Sequence, residues 1–386
     1  MHILIIPSAF PGPYNAYAGI FYQEMALGLH DSGIKTGVIA PDIRPVKEII
    51  SLKQWKEFGK EAAYELKPGL PVLRKTAINL LPFRKDFNRR IFGRYSEKLF
   101  LQYVDRYGKP DILHAHTTQW AGWAAMQISK KFDVPYVITE HSSAFLKNSL
   151  TPSEVYFHQQ VYAQAKSVCA VSTAIGNAMY DKTGKQSELI PNFIDTRKYE
   201  VRHQSRKPRT LCSIGNLLKT KGFAELLQAF SKLLSIEADF RLIVIGDGPE
   251  RTHLIQLSHS LGIDANVQFT GAILPEQVKE YLSQTDIYVS ASHFETFGVS
   301  IVEAMASGIP VVATRCGGPE ETVVKQAGIL CKKQDPNALF DAILYVYRNY
   351  HQYLPEQIRA HIEKNYSREA VLRRQVNIYN QAIGKE

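Results

Sequence analysis

Two glutamates, Glu295 and Glu303, stand eight residues apart in a stretch, residues 286–310, that reads as strand, loop, helix, turn and strand. In one continuous helix that spacing is about 80° out of phase and roughly 12 Å apart, too far for the two carboxylates to share a proton. They suit different parts of one long ligand instead. Between them, Gly298 and its neighbours can present free backbone N–H groups at the start of a helix, which suits a phosphate oxyanion. A ligand with hydroxyls at both ends and phosphates in the middle fits this arrangement, and a nucleotide sugar is such a molecule. Taken alone, a glutamate pair at this spacing is more often an ordinary feature of a surface, so its meaning rests on its neighbours. The chain has no Asp-X-Asp triplet and no His/Cys cluster with ligand spacing, which leaves a divalent cation neither required nor excluded.

Side chains of this kind must be carried just past strands, because a parallel sheet receives ligands at the carboxyl ends of its strands. Apolar strand-like runs alternate with helical periodicity almost throughout, the pattern of parallel sheets covered on both faces. A first series covers residues 2–7, 37–40, 111–114, 136–139, 168–172 and 188–191, with helical stretches such as 21–30 and 121–132 between them. After a polar, basic break at 202–209, strands restart at 211–214, 241–245, 267–270, 287–290 and 310–313. A chain of 386 residues is comfortable for two such cores, since single cores stop growing near roughly 250 to 300 residues. The expected domains are 1–195 and 196–367. The last helical pattern, about 368–386, is expected to pack back on the first, although its own periodicity does not assign it.

Hydrophobic content of 45% and charged content of 22% match an ordinary globular protein and exclude a disordered one. The amino-terminal apolar run is short, lacks a basic flank and meets Pro7, so it reads as a buried strand rather than a secretory signal. No stretch approaches the roughly 18 apolar residues of a membrane span. Cys169, Cys212, Cys316 and Cys331 are scattered, which points to a reduced, cytoplasmic protein. Net charge is +9, and residues 71–110 hold ten Lys or Arg against three acids. These lie among Phe83, Phe87, Phe92, Tyr95, Phe100 and Tyr103, which suggests a basic, aromatic helical surface in peripheral contact with an anionic membrane. The alternative is a solvated helix face whose aromatics are core. No nucleic-acid recognition motif accompanies the charge.

The stretch carrying Glu295, Phe297, Gly298, Val299 and Glu303 resembles glycosyltransferase family four, retaining enzymes whose signature is Glu, seven residues, Glu within a Phe-Gly loop and helix. Further matches follow in order: Gly215-Asn216-Leu-Leu-Lys219-Thr-Lys221-Gly222, Ile245-Gly-Asp247-Gly-Pro249, Gln268-Phe-Thr-Gly271, Gly308-Ile-Pro-Val and Gly317-Gly-Pro-Glu320-Glu321. The first half adds Asp111-Ile-Leu-His114-Ala-His116, Thr139-Glu-His141-Ser and Pro191-Asn192-Phe-Ile-Asp195. The resemblance covers nearly the whole chain. It implies a GT-B fold, α/β, with two Rossmann-like domains whose parallel sheets face each other across a cleft. It also implies a nucleotide diphosphate sugar as co-substrate, a carbohydrate or lipid-linked acceptor, and neither cofactor nor metal.

Carried over residue by residue, Glu303 holds the ribose hydroxyls, Glu295 the hydroxyls of the transferred sugar, and Lys221 the diphosphate. His116 is placed against the sugar hydroxyls and the reacting carbon. Gly19, Asn216, Gly271, Phe297, Gly298 and Val299 complete the donor-binding set, and Asn15, Tyr17 and His141 the acceptor-binding set. His141 has an alternative reading as a buried histidine satisfied by backbone. The family usually has Arg where this chain has Asn216, and an amide donates hydrogen bonds but not charge. Either Lys219 or a helix amino terminus then carries more of the load. Ala18-Gly19 stands where the family has paired glycines.

Two rivals remain on the residues once a third is excluded. A dinucleotide-dependent dehydrogenase lacks its Gly-X-Gly-X-X-Gly turn after the first strand here. A nucleotide-sugar epimerase or hydrolase of the same fold shares the donor half. A catalytically silent scaffold of a polysaccharide assembly complex has no chemical reason to keep Glu295, Glu303, Lys221 and His116 together.

Overall fold

A computed structural model describes residues 1–12, 18–45, 61–79, 84–202, 204 and 207–385. Asn15, Tyr17 and Phe83 lie outside the described residues. The chain divides into two compact units: Met1–Val171, Ile175–Ile190 and Leu372–Glu386 in one, Ser172–Ala174 and Pro191–Val371 in the other.

The first unit is built on eight strands: β1 (His2–Pro7), β2 (Lys35–Pro45), β3 (Glu61–Lys67), β4 (Leu70–Asn79), β5 (Ile112–His116), β6 (Tyr136–Glu140), β7 (Ser167–Ala170) and β8 (Glu188–Leu189). Their order is β3-β4-β2-β1-β5-β6-β7-β8. All pair in parallel except β3, which runs antiparallel to β4 at the edge. Ile3, Leu4, Ile5 and Ile6 of β1 are all fully buried. Helices cover both faces of a parallel sheet, so its inner strands read as continuous apolar runs rather than alternating ones.

The basic segment takes two conformations rather than one helical surface. Residues 70–79 form β4, and among the described residues of the segment the helix is Lys85–Tyr107. Arg74 sits buried on β4, donating to the carbonyls of Phe10 and Pro11 and lying 3.7 Å from Asp42. The Glu61 carboxylate on β3 accepts from Lys75, Lys98 and Gln102, which pulls its pKa down to about 2. Phe92, Phe100 and Tyr103 are core. No strand is legible here in the sequence because Arg74 and Lys75 interrupt the apolar run of β4.

The second unit has six strands, β9 (Thr210–Ile214), β10 (Arg241–Ile245), β11 (Val267–Gly271), β12 (Ile287–Ser290), β13 (Val311–Thr314) and β14 (Gly328–Cys331), in the order β11-β10-β9-β12-β13-β14. Counted along the chain this is 3-2-1-4-5-6, the doubly wound order whose winding reverses between the first and fourth strands. The helix Phe223–Leu234 buries Leu226, Leu227, Phe230 and Leu233, a stripe at helical spacing. The Asp286 carboxylate accepts from the amides of Arg209 and Thr210 at 2.7 and 2.8 Å and pairs with Arg202. That contact fastens the start of β9 to the start of β12. All four cysteines are free and buried.

The turn from β9 into its helix depends on Gly222. Its φ is +68°, and a Cβ there would stand 2.0 Å from the Ala291 carbonyl oxygen. Gly262 has nearly the same φ, +67°, with open space around it. Gly262→Ala is therefore expected to cost about 1 kcal/mol through backbone strain alone. Gly222→Ala is expected to cost several times that, because the loop after β12 must also move. Denaturant unfolding of both variants checks this, and equal losses would mean the Ala291 contact carries no weight.

Candidate active site

In the second unit the loops after β9 and β12 meet where the winding reverses. After β9 the chain makes a short turn, Lys219–Lys221, before Gly222 and the helix. The amide of His293 donates to the Thr220 carbonyl at 2.8 Å, joining this turn to the loop after β12. The Lys221 ammonium then lies 2.5 Å from a Glu295 carboxylate oxygen. Both side chains are partly buried, so the pair loses less to solvent screening than a surface pair does. Glu295 is held on both sides of its peptide: its amide donates to Cys316, and its carbonyl accepts from Gly318.

The helix Val299–Ala306 starts at Gly298, with no side-chain cap and no acidic residue in its first turn. Its leading amides are therefore available to an anion. Glu295 precedes this helix, so the two glutamates do not share one continuous helix; Glu295 is set by the loop and Glu303 by the helix. Glu303 accepts from the Tyr199 hydroxyl at 2.8 Å. Phe297 is 2% exposed and its ring meets Tyr366 edge-on, so only its main chain faces outward chemistry. Asn216 is exposed. The Gly271 carbonyl accepts from the Gly246 amide at 3.0 Å, which places Gly271 beside the end of β10.

In the first unit the winding reverses between β1 and β5, and Pro7 pairs with His116 at the carboxyl end of that step. His116 also pairs with Thr139 on β6, two residues before His141. The His116 Nδ1 and His141 Nε2 atoms lie 3.1 Å apart. His116 Nε2 and His141 Nδ1 are buried and have no hydrogen-bond partner among the described residues. The helix Ile20–Asp31 begins at Gly19 with φ +69°, and a Cβ on Gly19 would stand 2.3 Å from the Ala9 carbonyl. That start sets Tyr22 against both rings, with centroids 4.6 Å from His116 and 5.0 Å from His141, and Phe21 against His141 at 5.0 Å.

One feature here escaped the motifs, and a second lies inside the Thr139–Ser142 motif with no role assigned to it from sequence. Thr117, directly after His116, has φ +69°, a strained conformation for a β-branched residue. Its amide donates to Thr139 and its hydroxyl meets Ser8. The buried Glu140 carboxylate accepts from Thr118, Tyr162 and the amides of His141 and Ser142. A buried carboxylate so supplied with donors is a structural brace. Tyr22 and Tyr199 lie outside every quoted motif, and no sequence signal marks them.

The comparisons with known proteins agree with this architecture. The family model described as glycosyltransferase family 4 matches residues 18–198, and that described as glycosyl transferases group 1 matches residues 195–367. A putative teichuronic acid biosynthesis glycosyltransferase of Bacillus subtilis, TuaC, is 27% identical over 89% of this chain and 88% of its own. N-acetyl-alpha-D-glucosaminyl L-malate synthase of Bacillus anthracis is 29% identical over 70% of this chain and 74% of its own. Among solved structures, sucrose-phosphate synthase of Thermosynechococcus elongatus superposes with a TM-score of 0.82 at 20% identity, covering all of both chains. HepE of Anabaena in complex with UDP gives 0.73 at 18% identity, covering 98% of this chain and 99% of its own. Two doubly wound units of this kind define the GT-B class of glycosyltransferases. The chain belongs to the family 4, group 1 glycosyltransferases and is related to polysaccharide and glycolipid synthases. Among the described residues no helix is long and apolar enough to cross a membrane, and no group of three His, Cys, Asp or Glu is arranged to hold a metal ion.

Burial pushes the pKa of His114 and His141 down to about 3 and that of His2 to about 4, and holds His116 well below the ordinary range. These rings are neutral in the folded protein at pH 7, whereas in the unfolded chain they take up protons below about 6.5. The unfolded state then binds more protons, so stability falls as pH drops from about 6.5 toward 4. Calorimetry between pH 7 and pH 4 is expected to show that loss, with a shallower slope for His2→Gln. A melting temperature unchanged down to pH 5 would show that these rings are already protonated when folded.

Proposed function

We propose that the chain is a retaining, metal-independent hexosyltransferase that moves a sugar from a nucleotide diphosphate donor to a carbohydrate or lipid-linked acceptor. The observation that carries this reading is the Lys221–Glu295 pair beside the uncapped start of the Val299–Ala306 helix. Lys221 and the helix amides offer positive charge where a diphosphate leaving group gains negative charge. Glu295 offers a carboxylate to the sugar hydroxyls, and Glu303 with Tyr199 offers oxygens to the ribose. Gly271 ends β11 and Asn216 follows β9, the strands on either side of β10, for the rest of the nucleotide. In the first unit, Gly19, His116 and His141 form the polar set for the sugar and acceptor. Retention requires no protein nucleophile if the departing phosphate accepts the proton of the incoming hydroxyl on the same sugar face.

The related TuaC is named for teichuronic acid biosynthesis, which supports an acceptor in cell-surface polysaccharide synthesis. A cytoplasmic chain that works on a lipid-linked acceptor needs a way to reach the bilayer. On the Lys85–Tyr107 helix, Arg90 and Arg94 are exposed in line with Phe87 and Leu101, which are 43% and 48% exposed. That face suits peripheral contact with anionic headgroups. Co-sedimentation with phosphatidylglycerol vesicles at low salt is expected, and its loss in R90E/R94E. Wild-type protein left in the supernatant would remove this part of the proposal.

The donor is tested with UDP-glucose, UDP-N-acetylglucosamine, UDP-galactose and GDP-mannose, read by thermal stabilisation and slow hydrolysis. One donor is expected to stabilise the protein, with the effect lost in Glu303→Ala. Glu295→Ala is expected to lower turnover by about 100-fold while changing nucleotide affinity far less. Folded protein that neither binds nor hydrolyses any donor would favour the silent-scaffold reading.

A further inference from the structure

The Thr139-Glu140-His141 turn places a second imidazole against His116, and the hydrogen bond between them restricts both. We propose that His141 is a positioning residue that governs the tautomer of His116: the two rings carry their protons on the same atom type, both Nδ1 or both Nε2, and change only together. The proposal rests on the reading above that His116 meets the sugar.

The argument is one of donors and acceptors. His116 Nδ1 faces His141 Nε2 at 3.1 Å, so one of these atoms bears hydrogen and the other a lone pair. If His116 Nδ1 bears it, His141 Nε2 accepts, and the proton of a neutral His141 resides on its Nδ1. If His141 Nε2 bears it, His116 Nδ1 accepts, and the proton of His116 resides on its Nε2. Unlike tautomers would set two N–H groups or two lone pairs face to face in a buried site, where an unmade hydrogen bond is costly. Burial disfavours the imidazolium at both rings, which removes the alternative of an extra proton.

The surroundings hold the pair in place without settling which state it adopts. Glu140 fixes the backbone of the turn through the His141 and Ser142 amides at 3.0 and 2.9 Å. Tyr22 packs on both rings. His114 stacks on His116 at 4.1 Å, but its own nitrogens are engaged by Thr139 Oγ1 at 2.8 Å and the Tyr379 hydroxyl at 2.6 Å. What remains is the pair of outer atoms, His116 Nε2 and His141 Nδ1, buried and without partners among the described residues. In either state one outer atom donates and the other accepts. Hydroxyl groups answer both characters, whereas phosphate and carboxylate oxygens answer only the donor. A hydroxyl can meet His116 in either state and an anionic oxygen only when Nε2 bears the proton, so the hydrogen-bonding sense of a hydroxyl bound there selects the state of both rings.

Two-bond ¹⁵N–¹H spectra of histidine-labelled full-length protein at pH 7 report each ring's tautomer, with assignments from single-site variants. His116 and His141 are expected to show the same tautomer; opposite tautomers, or an imidazolium at either ring, overturn the proposal. In His141→Leu the His116 signature is expected to change, and hydrolysis of whichever donor in the panel is turned over is expected to fall about 30-fold in kcat with little change in donor KM. His141→Gln, whose amide can donate or accept, is expected to recover most of that loss. A folded His141→Leu protein with the wild-type His116 signature and turnover overturns the proposal, and if that variant does not fold the wild-type spectrum and His141→Gln decide. Full turnover in His116→Ala would instead count against the proposed function, since the tautomer result needs no substrate.

Discussion

Each sheet is wound outward from one central parallel pair, β1 with β5 and β9 with β12, and most of the side chains with chemical roles follow those four strands. The hydrogen-bonded register of these pairs is the constraint on which the rest depends. It brings Pro7 level with His116 and, through β6, sets His141 two residues past the Thr139 partner of His116. In the second unit it brings the Lys219–Lys221 turn against the loop that carries Glu295. A slip of one residue in either pair would turn His116 or the strand ends to the opposite face of the sheet.

The polar groups at these strand ends are balanced before any ligand arrives. Lys221 is neutralised by Glu295, Glu303 accepts from Tyr199, Glu140 is surrounded by donors, and the histidines are kept uncharged by burial. Isolated buried charge would be expensive, so each site is assembled from pairs that hold one another in position. Among the described residues, Lys221 stands near the uncapped start of the Val299–Ala306 helix, while His116 and His141 present neutral nitrogens.

Most of the strand series and the motifs at strand ends were legible because parallel strands buried on both faces leave continuous apolar runs, whereas β3, β4 and β14 were not legible as strands. The basic segment was not legible as a single element. Its ten cations include a buried Arg74 and Arg89, lysines gathered by Glu61, Lys85 paired with Glu154, and the exposed Arg90 and Arg94, and whether a cation is paired depends on acids far away in the chain, such as Asp42 and Glu154. The helix start expected at Gly298, between Glu295 and Glu303, is where the structure begins the Val299–Ala306 helix.

By itself the amino-acid order determined the kind of fold, the family and the identity of most candidate groups, since those follow from local periodicity and from residues at short spacing. Only tertiary structure decided which of these groups meet. The Lys221–Glu295 contact spans 74 positions, the His116–His141 contact 25, and the Tyr379–His114 contact 265. Sheet register and helix packing set such distances cooperatively, and no local pattern encodes them.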